Sequence, residues 1–173
     1  MHFNLTDEQR MFAETARTLF ARTCTSEHLR GLAASGEARD SARWAAIVET
    51  GLTGVMLPES VGGLGLGELD FALIAEAAGY FALPEPLVES AGVAAPMLCA
   101  IAPTLPVLRD PAATIAIQHP ANPFVADADT AAALLLHNAG ELHLVKPDAV
   151  RLTRQESIDP FRRLFRIEWT PAP

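Results

Sequence analysis

Gly51-Leu-Thr-Gly-Val-Met-Leu-Pro-Glu-Ser-Val-Gly-Gly-Leu-Gly-Leu-Gly-Glu-Leu-Asp70 is the stretch that decides the fold of this chain. Five glycines and one proline fall within the fourteen positions from Gly54 to Gly67, between two segments with helical patterning. Only glycine takes positive φ freely, so the run predicts a tightly folded, irregular connection between packed helices. The alternative, a nucleotide cradle, lacks its fingerprints. A dinucleotide fingerprint needs Gly-x-Gly-x-x-Gly between a strand and a helix. Counted from Gly63 the last position is Glu68, and counted from Gly65 it is Asp70. The Gly-Lys-Ser/Thr of a P-loop is also missing.

Outward from this loop, both sides read as helix. Upstream, Thr6 and Gln9 have capping-box spacing, with Asp7 and Glu8 placed to favour the positive helix end. Met11, Phe12, Ala16, Leu19 and Phe20 then recur at helical intervals through about Arg22. The polar stretch 33–40 loosens the pattern. A second helix is expected after Asp40 or Ser41, carrying Trp44, Ile47 and Val48 inward, with Gly51 at its C-terminal cap. Downstream, Leu69, Leu73, Ala77 and Tyr80 form another apolar stripe. Pro84 and Pro86 stop that helix. Pro86 also suits the first turn of a further helix with Leu87, Ala91, Ala94, Ala95 and Leu98, which Pro96 should kink.

Prolines at 103, 106 and 111 mark a linker, and strand signals follow it. Candidate strands are 114–118, 132–137, 141–146, 150–153 and 164–169, with Asn138-Ala-Gly140 as a hairpin turn. The expected class is therefore α+β. Residues 1–102 form a helical bundle, 103–111 a linker, and 112–173 a small antiparallel, barrel-like β domain.

Half of the 173 residues are hydrophobic and a fifth are charged, a globular balance. The net charge of −8 argues against nucleic acid and anionic membranes as partners. The acidity is uneven: residues 1–110 hold 14 acids against 7 bases, and the remainder 7 against 6. Cys24 and Cys99 are too few for a disulfide framework and read as reduced, buried thiols. The start is unlike a signal peptide, and no apolar run is long enough for a membrane span. A cytoplasmic location is expected.

The residues alone point to no catalytic constellation and no metal site. His137 and His143 could face each other across the hairpin, with Asp127 and Asp129 as carboxylates, but no recognised ligand spacing frames them. Ser26 and His28, two apart, point to different helix faces. Nothing near Cys24 lowers its thiol pKa. Glu59 is a loop carboxylate whose ordinary role is capping or facing water.

Several segments together resemble the acyl-CoA dehydrogenase family. The central run has its Gly-Leu-x-Gly, then Pro-Glu, then Gly-Gly-x-Gly leading into a helix. Phe3-Asn-Leu-Thr-Asp-Glu-Gln-Arg10 resembles the family's first helix start, and Trp44 with Glu49-Thr-Gly-Leu52 the helix before the glycine signature. Leu83-Pro-Glu-Pro-Leu-Val-Glu-Ser90 resembles a divergent bacterial branch. Val125-Ala-Asp-Ala-Asp-Thr-Ala-Ala-Ala-Leu-Leu-Leu136 resembles a strand pair of the middle β domain, and Ser157-Ile-Asp-Pro-Phe-Arg-Arg-Leu164 its closing turn.

The resemblance implies removal of a proton from Cα and a hydride from Cβ of an acyl-CoA thioester, with FAD taking the hydride and a glutamate the proton. It implies Phe124 and Val125 beside the isoalloxazine, and Leu87, Ser90, Ala91 and Ala94 along the acyl group. The family's Thr-Glu-Pro-x-x-Gly-Ser-Asp loop corresponds here to Ala116-Ile-Gln-His-Pro-Ala-Asn122, without Gly-Ser-Asp. Its Trp-Ile-Thr corresponds to Phe124-Val125-Ala126. Its catalytic glutamate belongs to a C-terminal four-helix domain and falls on no residue of this sequence. The chain is therefore expected to be part or a subunit of an FAD-dependent acyl-CoA dehydrogenase, incomplete alone and joined by another dehydrogenase chain or by self-association. The alternative is a non-catalytic scaffold for an active paralogue. A third reading is an unrelated α+β binding domain.

Overall fold

A computed structural model describes residues 4–37 and 39–171; Phe3 of the opening motif lies outside them. The first helix, α1 (Asp7–Thr23), starts as its sequence requires. The Thr6 hydroxyl accepts from Gln9 N–H at 3.1 Å, and the Gln9 side chain accepts from Thr6 N–H at 3.0 Å. A second helix, α2 (Ser26–Ser35), occupies residues that carried no helical stripe, and none of its side chains is buried. Local chemistry holds it instead: Thr25 caps its start and Gly36, at φ 73°, closes it. Helix α3 (Ser41–Glu49) is capped by Asp40 and ends at Thr50, with Gly51 beyond it at φ 75°.

Helix α4 (Glu68–Tyr80) turns a different face inward from the one its spacing suggested. Phe71, Ile74, Ala77 and Ala78 are buried, whereas Leu69 is 61% exposed and Tyr80 74%. The helix is apolar nearly all round, so periodicity could not select the inner face. Tyr80 is instead covered from outside by the Arg17 guanidinium, 5.6 Å from its ring centre, while Arg17 also pairs with Glu76 at 2.7 Å.

Between α3 and α4 the glycine loop folds on itself. Leu66 N–H donates to Val55 O (3.0 Å), Gly65 N–H to Leu57 O (2.8 Å) and Leu64 N–H to Gly54 O (3.0 Å). These bonds set the outgoing strand of the loop against the incoming one. Leu52, Val55 and Leu57 are thereby driven into the core, and a 3₁₀ turn at Glu59–Val61 makes the tip.

The next helix is two-toned. Val88–Ala94 is π-helical and runs straight into α5 (Ala95–Ile101). Pro96 provides no N–H and crowds the preceding turn, and the wider π turns absorb the misfit, with Ala95 N–H reaching Ser90 O. The expected kink thus appears as a change of helix type. Residues 106–109 form a 3₁₀ turn whose Leu108 is buried.

Six short strands follow: β1 (Ile115–Ile117), β2 (Phe124–Ala126), β3 (Ala133–Asn138), β4 (Glu141–Val145), β5 (Arg151–Gln155) and β6 (Leu164–Glu168). They make two three-stranded sheets, β1-β3-β4 and β2-β6-β5, and the sheets do not close into a barrel. The α+β class holds and the β part is mostly antiparallel, but β1 pairs with β3 in parallel. The hairpin turn lies as expected, with Ala139 at φ 49° and Gly140 at φ 88°, the positive pair of a type I′ turn.

Three apolar clusters knit the molecule. One lies among the helices around Phe20, Ile47 and Ile74. One lies between the sheets around Val125, Leu134 and Phe165. The third joins helix to sheet, bringing Leu57, Val61, Leu98 and Leu108 against Ile115 and Leu135.

Candidate functional site

Helix 88–101 is the spine of the candidate site, because its two faces meet different surroundings. Inward, Leu87 and Ala94 are fully buried and Ser90 and Ala91 nearly so. The Ser90 hydroxyl accepts from Ile115 N–H at 2.9 Å and so ties the helix to β1. Ser90 and Ala91 also border a cavity of about 280 Å³, shared with Trp44, Thr53, Leu57 and Leu108. Outward, Val88, Val93, Met97 and Ile101 are exposed. The step from 88 to 93 is near one π turn, and the steps to 97 and 101 are near α turns, so the four form one apolar ridge.

The second part is the outer face of the β2-β6-β5 sheet. Phe124 pairs with Arg166 across β2 and β6, and the guanidinium lies 5.6 Å from the Phe124 ring centre. Thr153 of β5 stands opposite Arg166 on the same face. Val125 points the other way and is fully buried between the sheets. Phe124 thus presents a ring, while Val125 anchors the strand from behind. Strand β2 was not expected from propensity, since a three-residue strand gives too short a period to read. The segment before it uses its polar groups on itself: Ala121 N–H donates to His119 Nδ1 (3.1 Å) and Phe124 N–H to Asn122 Oδ1 (3.0 Å).

Three ion pairs tie distant segments together, and one of them joins the helical part to the β part. Arg39, before α3, pairs with Asp127 after β2, and its Nη1 donates to Phe161 O at 3.2 Å. Arg163 pairs with Asp129. In the helical part Arg43 is 2% exposed and donates to Glu85 Oε1 at 2.8 Å, and its Nε and Nη2 donate to Thr23 O at 3.1 and 2.9 Å. None of these pairings was legible as a pattern, because partners lie 34 to 88 positions apart.

Burial pushes the Asp127 carboxyl from its usual 3.8 up to about 6, against the pull of Arg39; Glu89 and Asp129 add to the rise and Arg163 opposes it. The folded value lies above the unfolded one, so the folded chain holds this proton more tightly. Unfolding free energy is therefore expected to fall as pH rises from about 4 to about 6 and then to level, with an upper size of about 3 kcal/mol. Glu85, raised mainly by burial, acts in the same direction. Urea unfolding across this range checks the slope, and Asp127→Asn should flatten it. A wild-type curve that climbs through the window contradicts the assignment.

The remaining sequence candidates disperse. His137 stands opposite Leu142 and His143 opposite Leu136, and these adjacent pairs point to opposite faces, so the two imidazoles do not converge. No group of three metal-ligating side chains gathers among the described residues. Glu59 opens the 3₁₀ turn and is exposed. Both cysteines are buried, and burial pushes the Cys24 thiol up. Among the described residues no helix is long and apolar enough to cross a membrane.

This arrangement of helices and sheets recurs in known proteins. The family model described as "Acyl-CoA dehydrogenase, N-terminal domain" matches residues 6–102, and the chain belongs to the acyl-CoA dehydrogenase family. It is 29% identical over 171 residues to the acyl-CoA dehydrogenase IpdE2 of Mycobacterium tuberculosis, covering 94% of this chain and 51% of that protein. Among solved structures, a Tcur3481-Tcur3483 steroid ACAD variant matches with a TM-score of 0.80 at 24% identity, over 95% of this chain and 55% of the other. The ChsE4-ChsE5 complex from Mycobacterium tuberculosis matches with a TM-score of 0.79 at 19% identity, over 98% and 55%. The chain thus spans about half the length of the relatives it matches.

Proposed function

We propose that this chain supplies the helical and flavin-flanking β parts of an FAD-dependent acyl-CoA dehydrogenase, acting in the cytoplasm and in complex with another acyl-CoA dehydrogenase chain. The observation that carries the reading is similarity over nearly the whole of this chain to the acyl-CoA dehydrogenase IpdE2 and, in fold, to the ChsE4-ChsE5 complex, an assembly of two named chains. Two proteins of similar fold, an acyl-CoA dehydrogenase from Bacillus anthracis and PigA, are solved in complex with FAD. The chain's own residues fit one side of a planar cofactor: Phe124 offers a half-exposed ring on a rigid strand, and Val125 locks that strand by burial. When bound, FAD supplies the hydride acceptor for α,β-dehydrogenation of the thioester. The part played by this chain is to orient and to exclude water. The ridge Val88–Val93–Met97 forms an apolar wall for the acyl group, while Leu87, Ser90, Ala91 and Ala94 set its position from the packed side.

A second reading, a non-catalytic scaffold, draws on the 118–124 segment, whose His119 and Asn122 side chains are engaged in their own turns. Phe124→Ala in the co-purified complex separates the two. The enzymatic reading expects flavin affinity to weaken about tenfold, the size of one aromatic stacking contact, with the complex intact. Unchanged flavin affinity in an intact complex favours the scaffold.

A further inference from the structure

The cavity behind helix 88–101 is a place where packing is left unfinished. Protein interiors reach the density of organic crystals, with few voids larger than a water molecule. Here about 280 Å³ stays open where α3, the glycine loop, the π-helical stretch and residues 107–115 meet. Small residues keep it open: Gly54 and Gly62 on the loop side, Ala91 and Ala95 on the helix side. Two hydrogen bonds fix its frame. Trp44 Nε1–H donates to Ala112 O at 2.8 Å, and Ile115 N–H donates to the Ser90 hydroxyl at 2.9 Å.

One polar group on this wall is left over. Thr53 is buried and its hydroxyl finds no hydrogen-bond partner among the described residues, a cost that folded proteins ordinarily avoid. Thr53 is one of the residues that line the cavity. At the mouth stand Arg109 and Asp110, one charge of each sign, so the rim selects no ion. Arg109 donates to Ser60 O at 3.3 Å and Asp110 accepts from Ala112 N–H at 3.0 Å.

We infer that this cavity binds a small, uncharged, mostly apolar molecule carrying one hydrogen-bond acceptor, a ketone in chemical class, with the Thr53 hydroxyl as donor and Leu57, Ala91 and Leu108 around the carbon skeleton. The volume lies just below the ~300–1,000 Å³ of drug-sized sites, which suits a single ring or a short branched chain. The site is distinct from the acyl ridge, because it opens on the opposite side of the same helix. It needs neither flavin nor thioester.

Cyclohexanone and benzene are the probes, followed by Trp44 fluorescence in a Trp169→Phe background. Trp169 packs against His143 in the β part, so its removal leaves the cavity untouched. Both probes are expected to bind the full chain. Thr53→Val should weaken cyclohexanone about tenfold, the worth of one hydrogen bond, and leave benzene within about twofold. Ala95→Leu, which fills the lumen, should abolish both. Cyclohexanone affinity indifferent to Thr53→Val overturns the inference. So does failure of either probe to bind the parent at millimolar concentration, or undiminished binding by a folded Ala95→Leu variant.

Discussion

Arg43→Met is expected to destabilise the chain by about 3–5 kcal/mol, the cost of leaving a buried charge without its partner. Arg43 sits on α3 with its guanidinium sealed beneath the 81–86 turn, and Glu85 is almost as deeply buried. Glu85 Oε1 also accepts from Asp40 N–H at 3.3 Å, while Oε2 has no partner among the described residues. Removing the guanidinium strips Glu85 of its counter-charge and frees Thr23 O at the end of α1. Burial already raises the Glu85 pKa and Arg43 only holds it back, so the variant carboxyl should take up a proton more readily. The loss is therefore larger above neutral pH than near pH 5. Glu85→Gln added to Arg43→Met should recover part of it, since the amide carries no charge to strand. Urea unfolding of the two variants decides. A loss under about 1 kcal/mol for Arg43→Met means the pair is solvated in solution and the helical domain is not organised around it.

Gly63→Ala is the second large effect, and it strikes the loop rather than the core. A Cβ at Gly63 meets the Leu57 carbonyl well inside contact distance and the Leu57 Cβ at 2.6 Å. The obstacle is mostly backbone, which cannot swing aside as a side chain can. Accommodation requires breaking the Gly65 N–H to Leu57 O bond or withdrawing Leu57 from its cluster. A loss of about 3 kcal/mol or more is expected, toward the severe end for overpacking. Gly62 and Gly65 are needed for a different reason, their positive φ of 93° and 67°, and no atom crowds a Cβ there. Alanine at either should cost only about 1 kcal/mol. Thermal unfolding of the three variants gives the ranking. Gly63→Ala unfolding at the temperature of Gly65→Ala contradicts the close approach.

Those two sites also show what a reader of the sequence can and cannot reach. The loop was legible because glycine and proline act through the backbone, where the sequence speaks locally. The same holds for the Thr6 box, for Gly51 beyond α3 and for the turn at Ala139–Gly140. Arg43 was not legible. An arginine three residues into a helix reads as a solvated face, and only Glu85, 42 positions on, turns it into a core residue. Helix α4 misled because an apolar helix has no inner side until its neighbours supply one. Parallel pairing of β1 with β3 was hidden for a similar reason, since register between separated strands belongs to packing. At the candidate site the sequence put Phe124 and Val125 side by side, and the pleat sends them to opposite faces. The open space beside Ser90 and Ala91 depends on Gly54 and Gly62, 28 to 37 residues earlier, which no single segment announces.

The exposed ridge on helix 88–101 and the outer face around Phe124 are surfaces that the proposed function assigns to cofactor, substrate and a partner chain. The most direct test of that assignment is the flavin content of the protein, read from its visible absorbance, as isolated alone and as a complex with an acyl-CoA dehydrogenase chain encoded beside it. The account predicts little or no bound flavin for the chain alone, and stoichiometric FAD in the complex that bleaches when acyl-CoA is added. A chain that alone carries stoichiometric FAD and oxidises acyl-CoA, or a stable complex that carries no flavin, contradicts it.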